Sequence, residues 1–458
     1  MTKTVKLISP IDGSVYLERE CLSREAAFDA ASRARAAQAA WAARPLRERI
    51  DLVMRANKII GEQTDRMAEE LAHQMGRPIR YGGEYGGFDE RVSYMADIAE
   101  SALAPLEVED SDAFKRQIKR VPHGVVLVVA PWNYPYMTAI NTVAPALIAG
   151  NTVILKHAAQ TLKVGEHLAE AFAAAGIPED VFQNVVLDHD ATSDLIGKRA
   201  VDFVNFTGSV GGGQAMERAA AGTFIPVSTE LGGKDPGYVR ADADLERAVD
   251  TLMDGAMFNS GQCCCGIERI YVHESLYDGF VEKAVAWVKA MKLGNPLDPE
   301  TTMGPMANVR FAREVRAQIA EALEGGAVAH IPTSPADDGG AYMTPQVLTN
   351  VSHDMRVMRD ESFGPVVGIM PVKDDEEAIT LMNDCQFGLT ASIWTADAAA
   401  AEAIGDRIET GTVFMNRCDY LDPALCWTGC KDTGRGAGLS VLGFQALTRP
   451  KSYHLKKA

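Results

Sequence analysis

From Gly124 onward the chain alternates between apolar runs of strand length and helical stretches, and this alternation limits its possible folds more than any other feature. Val125-Val-Leu-Val-Val-Ala130 is apolar throughout and stops at Pro131. A helical stretch from Thr138 to Ile148 follows, then a strand (Thr152 to Leu155), a helix (Leu162 to Ala174), a strand (Val181 to Leu187), a short helix and a strand (Val201 to Phe206). A run that is apolar on both faces has to be covered on both faces. The pattern therefore predicts the α/β class, with a parallel, doubly wound sheet between helices. Such sheets bind ligands beyond the carboxyl ends of their strands. Past Gly232 a second alternation begins, with helices Leu245 to Phe258, Leu276 to Met291 and Ala307 to Glu324. It continues with strands at Val366 to Met370, Leu389 to Trp394 and Thr412 to Met415. This predicts a second α/β domain. Residues Ser23 to about Leu106 show apolar positions three and four apart and are expected to form a helical scaffold.

The 458 residues carry 62 acidic and 45 basic side chains, a net charge of −17, which repels phosphate backbones and makes nucleic acid an unexpected partner. No run reaches membrane-spanning length, and the stretch Met1 to Pro10 has no apolar signal core. Eight cysteines, sparse and clustered, do not form the framework of a secreted disulfide protein, so a reducing cytoplasm is expected.

Three of those cysteines are consecutive, in Phe258-Asn259-Ser260-Gly261-Gln262-Cys263-Cys264-Cys265-Gly266. A thiol on a glycine-flanked turn between a helix and a strand is open to a substrate and to groups that favour its thiolate. Taken alone, the stretch supports catalysis and a buried packing cluster about equally, with half a metal site as a second alternative. Cys418, Cys426 and Cys430 have spacings that match no common zinc pattern, so no metal is expected. Asn133 lies between Pro131 and Pro135, which fix the backbone on either side of an amide able to donate to an oxyanion. Lys156 ends a predicted strand. Ser209 follows Phe206-Thr-Gly and precedes three glycines in the next four residues, where a helix start could hold pyrophosphate. Glu230 precedes paired glycines, and Glu361-Ser362-Phe363-Gly364-Pro365 repeats the theme of a carboxylate and an aromatic before a turn.

Together these segments resemble the aldehyde dehydrogenase superfamily over nearly the whole chain. Six motifs stand in family order: Pro131 to Pro135, Gly150 to Lys156, Phe206 to Ser209, Glu230 to Lys234, Gly261 to Cys265 and Glu361 to Pro365. The resemblance implies a Rossmann-like cofactor domain from 1–103 and 123–231, a catalytic domain at 232–432, and a small oligomerisation element from 104–122 and 440–458. It implies NAD or NADP as cofactor, a small aldehyde as substrate, and a homodimer or homotetramer. Cys264 matches the nucleophile, Asn133 the oxyanion donor and Glu230 the base that activates water to hydrolyse the thioester. Lys156 and Glu361 match residues that hold the cofactor riboses, Ser209 a pyrophosphate contact, and Phe363 and Trp132 the cofactor surroundings. Tyr134, Phe258, Asp419, Leu421 and Trp427 fall near the aldehyde entrance.

Three departures from the family pattern bear on specificity. Ala159 stands where many relatives place a carboxylate, so both NAD+ and NADP+ are expected to be accepted. Val210-Gly211 replaces a frequent Thr-Glu, and Trp427-Thr428-Gly429 has lost one of two paired glycines. The arginines that clamp a carboxylate in some succinate semialdehyde dehydrogenases are replaced by Asn141 and Phe258. The short amino terminus and Lys156-His157-Ala158 are nevertheless similar to short bacterial semialdehyde enzymes. Asp419 and Asp422 would favour a cationic aminoaldehyde if they face the entrance, and would be solvated loop acids otherwise. A CoA-acylating enzyme and an inactive nucleotide-binding scaffold are the alternatives. Retention of Glu230 speaks against the first, and the intact set Cys264, Asn133 and Glu230 against the second.

Overall fold

The computed structural model describes residues 3–457; residues 1, 2 and 458, the outermost positions of the first and last expected segments, lie outside it. The chain opens with an antiparallel pair, β1 (Thr4–Ile8) and β2 (Val15–Glu20). Four helices follow: α1 (Arg24–Ala42), α2 (Leu46–Gly61), α3 (Thr64–Met75) and α4 (Tyr85–Ala102). Ser23 caps α1 by accepting from the Ala26 N–H at 3.2 Å. Strands β3 (Leu106–Asp110) and β4 (Phe114–Pro122) then form an antiparallel pair.

The first predicted alternation becomes β5 (Val125–Val129), α5 (Pro135–Ile148), β6 (Thr152–Lys156), α6 (Leu162–Ala174), β7 (Phe182–Asn184), α7 (His189–Gly197), β8 (Phe203–Thr207), α8 (Val210–Ala220) and β9 (Val227–Glu230). The five strands lie in the order β7-β6-β5-β8-β9, all parallel. Every residue of β5 is buried. At about 1.5–3 kcal/mol for each fully buried aliphatic side chain, this strand anchors the sheet. The order reverses at β5, with β6 on one side and β8 on the other, and the crevice beyond their carboxyl ends is where a dinucleotide docks.

The second alternation gives β10 (Asp235–Val239), α9 (Leu245–Met257), β11 (Ile267–His273), α10 (Glu274–Lys289), α11 (Val309–Glu324), β12 (Val328–Ala329), β13 (Gln346–Thr349) and β14 (Val366–Val372). After these come β15 (Phe387–Gly388), β16 (Thr390–Trp394), β17 (Thr412–Met415) and β18 (Cys430–Lys431). The sheet order is β12-β13-β14-β11-β10-β16-β17, with only the β12–β13 pair antiparallel, while β15 and β18 pair separately. A helix at Ser440–Ala446 and strand β19 (Thr448–Lys456) end the chain, and β19 pairs with β4 to make a three-stranded sheet, β19-β4-β3. Residues 433 to 435 lie along β9: the Thr229 N–H donates to the Arg435 carbonyl at 2.7 Å and the Leu231 N–H to the Thr433 carbonyl at 2.9 Å.

Strands β1, β2, β9 and β10 are absent from the pattern read in the sequence. Val227-Ser-Thr-Glu230 and Asp235-Pro-Gly-Tyr-Val239 contain no apolar run, yet three of four and five of five of their residues are buried. Their pairing is set by neighbouring strands rather than by their own hydrophobicity.

Candidate active site

The carboxyl edge of the first sheet meets the amino edge of the second: β9 ends at Glu230 and β10 begins at Asp235. Cys264 sits between α9 and β11, facing that junction. Its turn is unusual, because Asn259, Ser260 and Gly261 all take positive φ, at 54°, 56° and 69°. At Gly261 a Cβ would lie 2.2 Å from the Gly364 carbonyl, so only glycine fits the close approach. The turn is held by Ser260 Oγ donating to the Gly304 carbonyl at 2.9 Å and by the Ala307 N–H donating to Gln262 Oε1 at 2.8 Å.

Asn133 is tied to this turn through Arg77. The Arg77 guanidinium donates to the Asn133 carbonyl at 2.6 Å and to Asn259 Oδ1 at 3.1 Å, and forms a buried ion pair with Glu84. Asn259 Nδ2 donates to the carbonyls of Asn133 and Gln262, both at 3.1 Å. Glu84 Oε2 accepts from the Tyr136 and Met137 N–H groups, each at 3.0 Å, and so caps α5 from the residue that precedes α4. One buried cluster therefore fixes the Asn133 backbone and the cysteine turn against each other. Arg77, Glu84 and Asn259 had no distinguishing signal in the sequence.

Glu230 approaches from the other side. A Cβ at Gly233 would lie 2.3 Å from the Cys264 carbonyl, so the segment after Glu230 runs against the cysteine backbone. Burial pushes the Glu230 carboxyl up to about 7, while the Thr207 hydroxyl, 3.3 Å away, works in the opposite direction. A carboxyl balanced near neutrality suits a general base.

The three sulfur atoms lie within 4.8 Å of one another, but face different groups. Cys263 and Cys265 are buried and donate S–H to Asp419 Oδ1 at 3.1 and 3.0 Å, whereas Cys264 is partly exposed. The Cys264 thiol is lowered to about 6 by its neighbouring thiols, Cys263 and then Cys265, against the opposing effect of burial. The sulfur geometry itself shows the two flanking thiols bonded to Asp419. Burial, then the charge of Cys263, holds the Asp419 carboxyl well above the usual range, so it is not a free counter-ion for a cationic tail. Asp422 caps its own turn by accepting from the Ala424 N–H at 2.9 Å. Cys418 and Cys430 donate to the Thr251 and Glu409 carbonyls, away from the triple cysteine.

Of the other expected entrance residues, Tyr134 stacks beneath the Arg77 guanidinium at 4.6 Å and its hydroxyl has no partner. Phe258 meets Tyr81 edge-on at 4.9 Å. Trp427 is buried in the apolar cluster that contains Cys263 and Cys265, and Leu421 packs against that cluster.

The residues expected to hold a cofactor fit one. Ser209 caps α8 by accepting from the Gly212 N–H at 3.3 Å, and Cβ atoms at Gly208 and Gly212 would meet the Phe206 ring at 2.8 and 2.4 Å. The helix start thus presents bare backbone. Lys156 ends β6 with its ammonium lowered by burial, while His157 beside it is buried and pushed down to about 4, hence neutral. Glu361 accepts from the Gly233 N–H at 3.0 Å, and burial, then Glu268, raises it to about 8. A Cβ at Gly232 would strike its carboxylate at 2.3 Å. Buried Glu268 arranges this loop, accepting from Ser362 N–H and Phe363 N–H at 2.8 Å each and from Lys234 Nζ at 2.5 Å. Trp132 stacks on Phe311 at 5.2 Å and meets Phe363 edge-on at 5.5 Å.

A doubly wound sheet joined to a second sheet by a cysteine turn that is tied to the Asn133 backbone and packed against the segment after Glu230 is the frame of a cysteine-dependent oxidoreductase. The chain belongs to the aldehyde dehydrogenase family, whose model matches residues 1–453. It is 35% identical over 397 residues to an NADP(+) succinate-semialdehyde dehydrogenase of Mycolicibacterium paratuberculosis, covering 86% of this chain and 84% of that one. It is 33% identical to an aldehyde dehydrogenase of Paenarthrobacter nicotinovorans, covering 98% and 99%. Among solved structures, the succinic semialdehyde dehydrogenase from Streptococcus pyogenes in complex with NADP+ superposes with a TM-score of 0.93 at 29% identity, covering 99% of this chain and 100% of that one.

Proposed function

We propose that this chain oxidises a small carboxylate-bearing aldehyde, a semialdehyde, to the corresponding acid, with Cys264 as nucleophile, Asn133 as oxyanion donor and Glu230 as hydrolytic base. One observation carries the reading: Arg77 and Asn259 tie the Asn133 backbone to the cysteine turn, and Gly233, just after Glu230, packs against the Cys264 carbonyl. The semialdehyde relatives and the engagement of Asp419 by two thiols support the acidic substrate over an aminoaldehyde.

Lys156, Ser209, Glu361, Phe363 and Trp132 would hold NAD+ or NADP+, which supplies a hydride acceptor when bound. Both cofactors are accepted, because Ala159 leaves no carboxylate to repel a 2′-phosphate and Lys156 keeps a cation at the strand end. The Cys264 thiolate adds to the aldehyde carbon, and the Asn133 amide with the Cys264 backbone N–H takes the resulting oxyanion. Oxidation of that adduct leaves a thioester on Cys264. Glu230 draws a proton from water, the hydroxide attacks the thioester, and the acid departs as the thiol is restored. Water, not a second thiol, is the acyl acceptor. The three-stranded sheet β19-β4-β3 is the pairing element of a homodimer or homotetramer.

Glu230→Gln tests the assignment. Rapid mixing with cofactor and aldehyde should give a burst of reduced nicotinamide, up to one per site, followed by a slow rate, with an acyl adduct visible by intact mass and absent in a Cys264→Ala background. Loss of both burst and adduct with cofactor binding intact would place Glu230 earlier, at thiol activation.

A further inference from the structure

Four arginines are buried among the described residues, and three of them are fully engaged. Arg49 donates to the carbonyls of Ile148 and Ala42, Arg269 to those of Lys234, Leu381 and Met382, and Arg77 pairs with Glu84. Arg91, on α4, is 6% exposed and makes one hydrogen bond, from Nη1 to the Gly87 carbonyl at 2.6 Å. Its Nε has no acceptor, and it forms no salt bridge among the described residues, the charges of Glu90 and Glu84 acting on it only from a distance. The nearby acids are committed elsewhere: Glu84 to Arg77, Glu90 to the Tyr420 hydroxyl, and Asp89 to Asn57 and Ser93. A guanidinium keeps its charge under all these conditions, and holding it in a low-dielectric interior without a counter-ion is costly.

The helix is shaped around this charge. Gly87 lies one turn before Arg91, in the first turn of α4. A Cβ there would stand 2.4 Å from Met137 Sδ and 2.8 Å from Arg91 Nη1. Without that Cβ, the guanidinium folds back over Gly87 into the seam between α4 and α5. The seam opens next to Asn133: Met137, whose sulfur lies over Gly87, stands four positions after it, and the charge of Cys265 is among those that act on Arg91. On α5, Asn141 Oδ1 is a second buried polar atom without a partner.

We propose that Arg91, folded over Gly87, is the receptor for the anionic tail of the substrate, pairing with a carboxylate a few carbons from the aldehyde that Cys264 attacks. This rests on the semialdehyde reading and supplies what that reading otherwise lacks, a cation for the tail. The bound carboxylate would be the counter-ion that the folded protein does not provide, in a charge-assisted pair. A site built around such a pair discriminates strongly against an analogue lacking the charge, because the guanidinium is then left alone.

The test compares kcat/KM for 4-oxobutanoate and for butanal, aldehydes of equal chain length, in the wild type, Arg91→Gln, Arg91→Lys and Gly87→Ala. Arg91→Gln is expected to lose about a hundredfold on 4-oxobutanoate, mostly through KM, and to stay within about threefold on butanal. Arg91→Lys should recover part of the loss. Gly87→Ala keeps the charge but displaces the guanidinium, and should show the same selective loss in milder form. Equal losses on both aldehydes would assign Arg91 a purely structural role, and an unchanged ratio in Arg91→Gln would remove it as the receptor while leaving the semialdehyde reading intact. A wild type that handles butanal as well as 4-oxobutanoate overturns both. Should Arg91→Gln fail to fold, the Gly87→Ala ratio decides: if it is unchanged, the proposal is wrong.

Discussion

Cys263, Cys264 and Cys265 are identical in composition and differ only in what their sulfurs face. Cys264→Ala should abolish reduction of the nicotinamide, whereas Cys263→Ala and Cys265→Ala should each retain most of it. A folded Cys263→Ala as inactive as Cys264→Ala would move the nucleophile. Glu230 acts only as the anion, so decay of the acyl adduct, followed by intact mass after a single turnover, should quicken as pH rises through about 7 and level off above it. Burial raises this carboxyl and the Thr207 hydroxyl lowers it, so Thr207→Val should carry the acid limb to higher pH; a limb that stays put would mean another group titrates. The same shift has a consequence for stability. The folded state holds the proton more tightly than the unfolded chain, so this group's contribution is greatest below the ordinary carboxylate range and is lost as pH rises through about 7. Cys264, Asn133 and Glu230 could be proposed from the sequence because six short motifs stand in family order, each of them weak by itself. Arg77, Arg91 and Glu268 could not, because their importance depends on partners: Arg77 reaches Asn133 and Asn259, 56 and 182 positions away. The one available signal was Glu268-Arg269, two charges in the otherwise apolar strand β11.

At the scale of elements, the turn carrying Cys264 and the start of α5 form one mechanical unit because Arg77 and Glu84 bind them. Removing one partner of a buried pair leaves the other charge uncompensated, so Arg77→Gln should destabilise by about 3–5 kcal/mol. The loss of positioning should appear separately, as a lower burst rate with cofactor binding unaffected. Calorimetry and rapid mixing check the two parts, and a variant with wild-type burst kinetics would confine Arg77 to stability. The strands that sequence periodicity identified are those apolar on both faces, such as β5. It missed β9 and β10, which carry Glu230 and lead away from it, because polar residues there are buried by partners: Asp235 accepts from the Thr390 hydroxyl at 2.6 Å. Functional strands are the harder ones to read, since their side chains are chosen for the site.

For the whole molecule, the sheet β19-β4-β3 leaves apolar side chains in the open. Leu106 is 63% exposed, Val108 56% and Leu455 49%. This matches its proposed role in pairing subunits. Ending the chain before Thr448 should lower the sedimenting mass to that of a monomer; a truncated chain that still sediments as the wild-type assembly would place the interface elsewhere. The resemblance predicted this element from 104–122 and the tail, although neither segment alone carries a strong strand pattern, because their pairing joins residues over 300 positions apart. The late segment along β9 has a comparable reach. Gly434 and Gly436, at φ 98° and 149°, lie against Thr229 and Ser228 where Cβ atoms would stand 2.5 and 2.1 Å from the hydroxyls. During synthesis β9 is complete about two hundred residues before this partner exists. At 5–20 residues per second, the nascent chain carries an open strand edge ending in Glu230 for roughly 10 to 40 seconds. The edge that carries Glu230 is thus also a strand edge open to mispairing while the ribosome is still at work.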